Sequence, residues 1–205
     1  MRITGGMLAG RTIQCPPGVI RPAMDRMRES CFAVLGDMSG TSFLDLFSGS
    51  GSIAIEAASR GAAVVELCEK DRTKIQTILK NVAVTERELG VKIRCHFMPV
   101  EYFLKRCHRQ FDCIFFDPPF PYQFHEALLQ LAEEKKILAA GGRLLIHRPQ
   151  EKELPQTIGT LIRTDQRTYG RSIVDFYREK NAPVPLPATT VRMEQVFPPK
   201  CAPED

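Results

Sequence analysis

Short apolar runs alternate along the chain with stretches in which apolar residues recur three and four positions apart. The first pattern suits buried strands, the second amphipathic helices. Met27, Cys31, Phe32 and Leu35 share one face of a helix predicted from about Asp25 to Leu35, which Asp25 is placed to cap. Strands are predicted over 42–47, 62–68, 91–97, 111–116 and 143–147, separated by helices over 52–60, 71–89, 100–107 and 124–138. Gly141-Gly142 reads as the stop of the last helix. Two more strands, 158–168 and 172–179, flank Tyr169-Gly170 and read as a hairpin. The alternation predicts an α/β fold: a seven-stranded, mostly parallel sheet with helices on both faces and a C-terminal antiparallel hairpin.

Composition sets the boundaries of that fold. A chain of 205 residues, 43% apolar and 25% charged, can bury one substantial α/β core, assigned here to residues 25–180. Residues 181–205 hold six of the fifteen prolines and little periodicity, and are expected to be a disordered tail. No apolar stretch approaches the ~20 residues a membrane span needs, and Arg2 and the early glycines precede no signal-peptide core. Seven scattered cysteines without a C-x-x-C pair are expected to be reduced thiols of a cytoplasmic protein, holding no metal. Most of the net charge of +4 lies early: five arginines in residues 1–30 face only Asp25 and Glu29, a net of +3. Residues 1–24 therefore read as a basic arm. Arg2, Arg11, Arg21, Arg26 and Arg28 are candidates for phosphate contacts or, more simply, a solvated surface.

The candidate chemistry sits at strand ends. Asp117-Pro118-Pro119-Phe120 follows the apolar run Phe111–Phe116. Two prolines fix the backbone and remove two donors, so carbonyls there remain free acceptors. With the Asp117 carboxylate and the flat face of Phe120, they form a shelf suited to a planar exocyclic amine. A strand with a Pro-Pro turn is the plainer reading. Phe43-Leu44-Asp45-Leu46-Phe47 runs into Ser48-Gly49-Ser50-Gly51 and a helix, a Rossmann-like nucleotide-binding opening. Gly49 and Gly51 allow a tight turn and close approach of a ligand. No third glycine completes the dinucleotide pattern. Glu69 closes the second strand about 20 residues later, where an acid meets ribose hydroxyls in such folds, while Asp71 reads as a helix cap.

These motifs resemble those of S-adenosylmethionine-dependent amino-methyltransferases. The flanks narrow the resemblance. Arg2-Ile3-Thr4-Gly5-Gly6, Gly10-Arg11, Arg21-Pro22-Ala23-Met24-Asp25-Arg26-Met27-Arg28-Glu29, Ser59-Arg60-Gly61-Ala62 and Tyr169-Gly170-Arg171-Ser172 are similar to segments of the bacterial 16S ribosomal RNA guanine-N2 methyltransferase family. The similarity covers roughly residues 1–180.

The resemblance implies a class I methyltransferase fold and methyl transfer to a guanine N2 amine of 16S rRNA. The substrate would be an assembled small subunit or an intermediate, and the enzyme a monomer. It implies S-adenosylmethionine held by Asp45, Phe47, Gly49, Ser50, Gly51, Glu69, Met98, Val100 and Asp117. Asp117, Pro118, Pro119 and Phe120 would form the transfer shelf, with Phe120 and Tyr122 stacking on an extruded base. His125 and His147 read as structural. Arg26 and Glu29, three apart, can pair. Three positions depart from the family pattern: Ala23 where Thr is frequent, Pro99 where Asp or Asn usually faces the adenine, and Arg148 where Glu usually follows the fifth strand. DNA adenine-N6 methylation and a non-catalytic RNA-binding role are the alternative readings.

Overall fold

The computed structural model describes residues 1–15 and 23–181. Arg21 and the Pro-rich segment 182–205 lie outside the described residues. Helix α1 spans Ala23–Leu35, followed by β1 (Ser42–Leu46), α2 (Ser52–Ser59), β2 (Val64–Cys68), α3 (Ile75–Leu89), β3 (Ile93–His96), α4 (Val100–Arg106), β4 (Phe111–Phe116), α5 (His125–Glu134), β5 (Leu138–Pro149), β6 (Thr157–Ile158), β7 (Leu161–Tyr169) and β8 (Ser172–Glu179). They form one sheet in the order β3-β2-β1-β4-β5-β8-β7-β6. Strands β3 through β5 run parallel, and β8, β7 and β6 complete the sheet antiparallel. No helix among the described residues is long and apolar enough to cross a membrane.

Central strands are mostly apolar on both faces because helices cover them, with Asp45 in β1, Glu66 in β2 and Asp112 in β4 as the charged exceptions. One layer joins Phe43, Phe115 and Leu145 to Phe32 of α1, Ala54 and Ile55 of α2 and Ile78 of α3. The opposite layer joins Leu44, Leu46, Ile114 and Phe116 to Leu104 of α4 and Leu128 and Leu129 of α5. Strand order reverses between β1 and β4, which places the Ser48–Gly51 turn and the Asp117 shelf side by side at neighbouring carboxyl ends.

Three expectations change. The sheet has eight strands, not seven, because Thr157 and Ile158 pair with Ile162 and Leu161. Helix α5 ends at Glu134 instead of reaching Leu138. Lys136 there takes a left-handed φ of 50° and Leu138 already pairs with Phe111, so Gly141 and Gly142 fall inside β5, where its register with β4 shifts. The described part of the basic arm, finally, is packed rather than loose: Ile3, Leu8 and Ile13 are buried in the core. Ile3 N donates to Arg11 O at 2.8 Å, and Met7 N to Ser59 O at 2.7 Å. Gly6 has a φ of 77°, and a Cβ added there would lie 1.9 Å from Ser59 O. Only glycine fits that approach.

Arg148 also acquires a reason. It is buried and ion-paired with buried Asp175 on β8, which also accepts from Gln166 Nε2 at 2.7 Å and lies 3.3 Å from Arg163 Nη1. The residue that departs from the family pattern fastens β5 to the hairpin.

Candidate active site

Strand β1 delivers Asp45, which is wholly buried. Its Oδ2 accepts from Ser48 Oγ at 2.6 Å and Ala54 N at 3.1 Å, tying the turn to the start of α2. Oδ1 is buried without a partner among the described residues. Burial pushes the carboxyl up to about 7, against the lowering effect of those two donors. Phe47 then adopts a φ of 65°, a left-handed conformation costly for a non-glycine residue, and Gly49 follows at 60°.

Glu69 ends β2 beside this turn. Its Oε2 accepts from Gly49 N at 2.9 Å, its Oε1 from Asp71 N at 2.9 Å, and Lys74 Nζ stands 3.4 Å away. Asp71 caps the following 3-10 turn through Thr73 N at 3.0 Å, as its position predicts.

Strand β4 delivers Asp117, whose N donates to Leu46 O at 3.0 Å and so locks the shelf to the end of β1. Asp117 Oδ1 lies 2.7 Å from Nδ1 of His147, on β5. The His147 ring meets Phe120 edge-on, with centroids 5.8 Å apart.

These residues border a cleft of about 750 Å3, within the usual range of small-molecule sites. Phe47, Gly49, Glu69, Asp117, Pro118, Pro119 and Phe120 all line it, as the sequence suggests. Lys74, Met27, His147, Tyr169 and Arg171 line it too and are not among the site residues that the sequence suggests. Asp45 lies buried in the support of the turn. Ser50 and Gly51 do not border the cleft: the Ser50 carbonyl accepts from Asn81 Nδ2 at 3.0 Å, and Gly51 N donates to Ser48 O.

Several candidates are placed elsewhere. Met98 and Val100 do not border the cleft. Val100 is buried at the start of α4, and the Met98 carbonyl accepts from Cys68 Sγ at 3.2 Å. Tyr122, expected to stack on a base, packs edge-on against Phe47 at 5.3 Å, with its hydroxyl on Glu101 Oε1 at 2.7 Å. Arg28 cannot meet a phosphate, because its side chain is 1% exposed and paired with Glu56. Its partner on α1 is Asp25, at 3.0 Å, and no ion pair joins exposed Arg26 to Glu29 among the described residues. Arg2 is exposed, and Arg11 pairs with Glu88. His125 is buried beside Tyr122, its imidazole pushed down to about 4 by burial. Cys15, Cys31, Cys68, Cys95, Cys107 and Cys113 are free thiols.

The family described as Conserved hypothetical protein 95 matches residues 1–178. This chain belongs to it. Relatives of this Conserved hypothetical protein 95 member include Bacillus subtilis YlbH, named for rRNA methylation, which is 34% identical over 185 residues, covering 88% of this chain and 100% of the relative. The Escherichia coli ribosomal RNA small subunit methyltransferase D is 34% identical over 158 residues, covering 76% of this chain and 78% of the relative. The solved structure of Escherichia coli yhhF, described as a candidate methyltransferase, superposes with a TM-score of 0.78 at 28% identity. It covers 88% of this chain and 98% of its own. The class I methyltransferase fold is thus shared by sequence relatives and by structure.

The residues present fit S-adenosylmethionine. The cleft is large enough for a nucleoside, Glu69 offers a carboxylate to ribose hydroxyls, and Asp45 keeps one buried oxygen without a partner among the described residues.

Proposed function

We propose that this protein is an rRNA methyltransferase that uses S-adenosylmethionine to methylate the exocyclic N2 amine of a guanine in 16S rRNA of the small subunit. One observation carries the reading: the glycine turn with Glu69 and the shelf Asp117-Pro118-Pro119-Phe120 open into the same cleft. On this reading one cleft would take the nucleoside of the cofactor beside the amine of the substrate. The names of the relatives supply the RNA substrate.

Gly49, Glu69 and the turn braced by Asp45 would hold the cofactor. When bound, it supplies an electrophilic sulfonium methyl group. Asp117 and the Pro118 carbonyl accept the N–H bonds of the amine, direct its lone pair and offset the positive charge that develops on nitrogen. Asp117 is also a carboxylate acceptor for the proton the amine then sheds. Phe120 stacks on the base once it leaves the RNA stack. Arg171 at the hairpin tip borders the cleft and is exposed, as is Arg26 on α1, so both suit phosphates flanking the target. The substrate is an assembled subunit or an intermediate in the cytoplasm, met by a single copy of the chain.

Tritiated methyl transfer to small subunits, naked 16S rRNA and genomic DNA, followed by nuclease mapping, tests the reading. N2-methylguanine in RNA from subunits is expected. Label in DNA adenine would overturn the substrate, and label nowhere would overturn the activity.

A further inference from the structure

We infer that His147 is the positioning residue of the shelf: its Nδ1–H holds Asp117 by one oxygen, leaving the other, Oδ2, to receive the substrate amine. The inference rests on the methyl-transfer reading above and names how that site is pre-set.

Two neighbouring strands carry the pair. Asp117 follows β4 directly, and His147 sits on β5, where Phe116 pairs with Ile146. Side chains at the next step along both strands therefore stand side by side. His147 Nδ1 and Asp117 Oδ1 meet at 2.7 Å, the length of a charge-assisted hydrogen bond. A carboxylate only accepts, so the shared proton resides on Nδ1. Nε2 is buried with no partner among the described residues, so nothing there competes to turn the ring over. The ring is itself held, 8% exposed, edge-on to Phe120. One imidazole thus neighbours both the acceptor and the aromatic ring of the shelf.

A free carboxylate rotates about its Cβ–Cγ bond and offers an amine a shifting target. With Oδ1 engaged, rotation stops and Oδ2 takes a defined direction. The backbone bond from Asp117 N to Leu46 O fixes the other end of the same residue. Rate then depends on His147 through orientation, since a misplacement of about 1 Å can cost 10²-fold, whereas cofactor and RNA binding depend on other groups. This predicts a split between kcat and KM.

The first test needs no turnover. A long-range 1H–15N spectrum of the imidazoles in the full chain is expected to show His147 protonated at Nδ1 and bare at Nε2, with that preference lost in Asp117→Ala. Protonation at Nε2 alone would overturn the inference even if the protein proves to be an active methyltransferase. In labelled transfer to small subunits, His147→Leu is expected to lower kcat about 10- to 100-fold, with KM and S-adenosylmethionine affinity within about twofold. His147→Asn keeps an N–H donor near the former Nδ1 and is expected to recover most of the rate. A leucine variant as fast as the wild type, or an asparagine variant as slow as the leucine one, would overturn the positioning role. A wild-type protein that labels no substrate would instead overturn the methyl-transfer reading, and the tautomer would still decide whether the pair exists as described. Should His147→Leu fail to fold, the wild-type tautomer and His147→Asn still decide.

Discussion

Arg28 and Glu56 meet inside the protein, Nε to Oε2 at 3.1 Å, with neither side chain more than 1% exposed. Glu56 also accepts from Thr4 N at 2.9 Å, Thr4 Oγ1 at 2.8 Å and Arg60 Nε at 2.8 Å. One carboxylate therefore joins α1, α2 and the N-terminal segment. Removing it leaves the buried guanidinium with only the half-exposed Asp25 as an ion-pair partner. Glu56→Ala is expected to destabilise the fold by about 3–5 kcal/mol, the usual cost of breaking a buried pair on one side, measured by urea unfolding. Little change would mean that water reaches Arg28.

The N-terminal segment is expected to behave as core. Gly6→Ala forces a Cβ against the Ser59 carbonyl in a left-handed conformation, and a loss above about 2 kcal/mol should follow. Deleting residues 1–15 should lower thermal stability and cofactor binding together, since Ile3, Leu8 and Ile13 leave the same layer that supports α2. Intact stability with selective loss of RNA methylation would restore the view of these residues as a substrate arm.

Asp45 makes stability depend on pH. Its carboxyl, raised to about 7 by burial, holds its proton in the folded state at pH values where the unfolded chain, near 3.8, has lost it. The folded state then binds more protons, so the contribution is fully present below about pH 4 and is lost as pH rises through about 7. Asp45→Asn should flatten that fall. Unfolding free energies at pH 5 and pH 8 should show the Asn variant gaining on the wild type by an amount on the order of a few kcal/mol. A constant difference would mean that Asp45 is ionised in the folded protein throughout.

Contiguous chemistry was easy to read from sequence. The central strands β1 and β4 are covered on both faces, so apolar residues dominate them apart from Ser42, Asp45 and Asp112. Asp117-Pro118-Pro119-Phe120 and the Gly49 turn each lie within a few residues. What escaped depends on pairing between distant segments. His147 reaches Asp117 only through the β4–β5 register, and Arg28 looks like any helix-surface arginine until α2 brings Glu56 against it. Strand β6 is two residues long and leaves no periodicity to detect. The end of α5 was misjudged because Lys136, not a glycine, makes the left-handed turn.

Arg171 should serve the RNA and not the cofactor. It borders the cleft from the hairpin tip, which Tyr169 anchors to α1 through a 2.7 Å bond from its hydroxyl to Ser30 Oγ. Arg171→Ala is expected to raise KM for small subunits several-fold and to reduce the salt slope by about one, with S-adenosylmethionine affinity unchanged in calorimetry. An unaltered salt slope would remove Arg171 from the RNA contact.

The most direct test of the account compares Asp117→Ala with the wild type in labelled methyl transfer to small subunits, with cofactor binding measured on the same preparations. The account predicts that transfer is lost while S-adenosylmethionine still binds, because Asp117 accepts the amine whereas Gly49 and Glu69 hold the cofactor. Transfer by the alanine variant at the wild-type rate would contradict it.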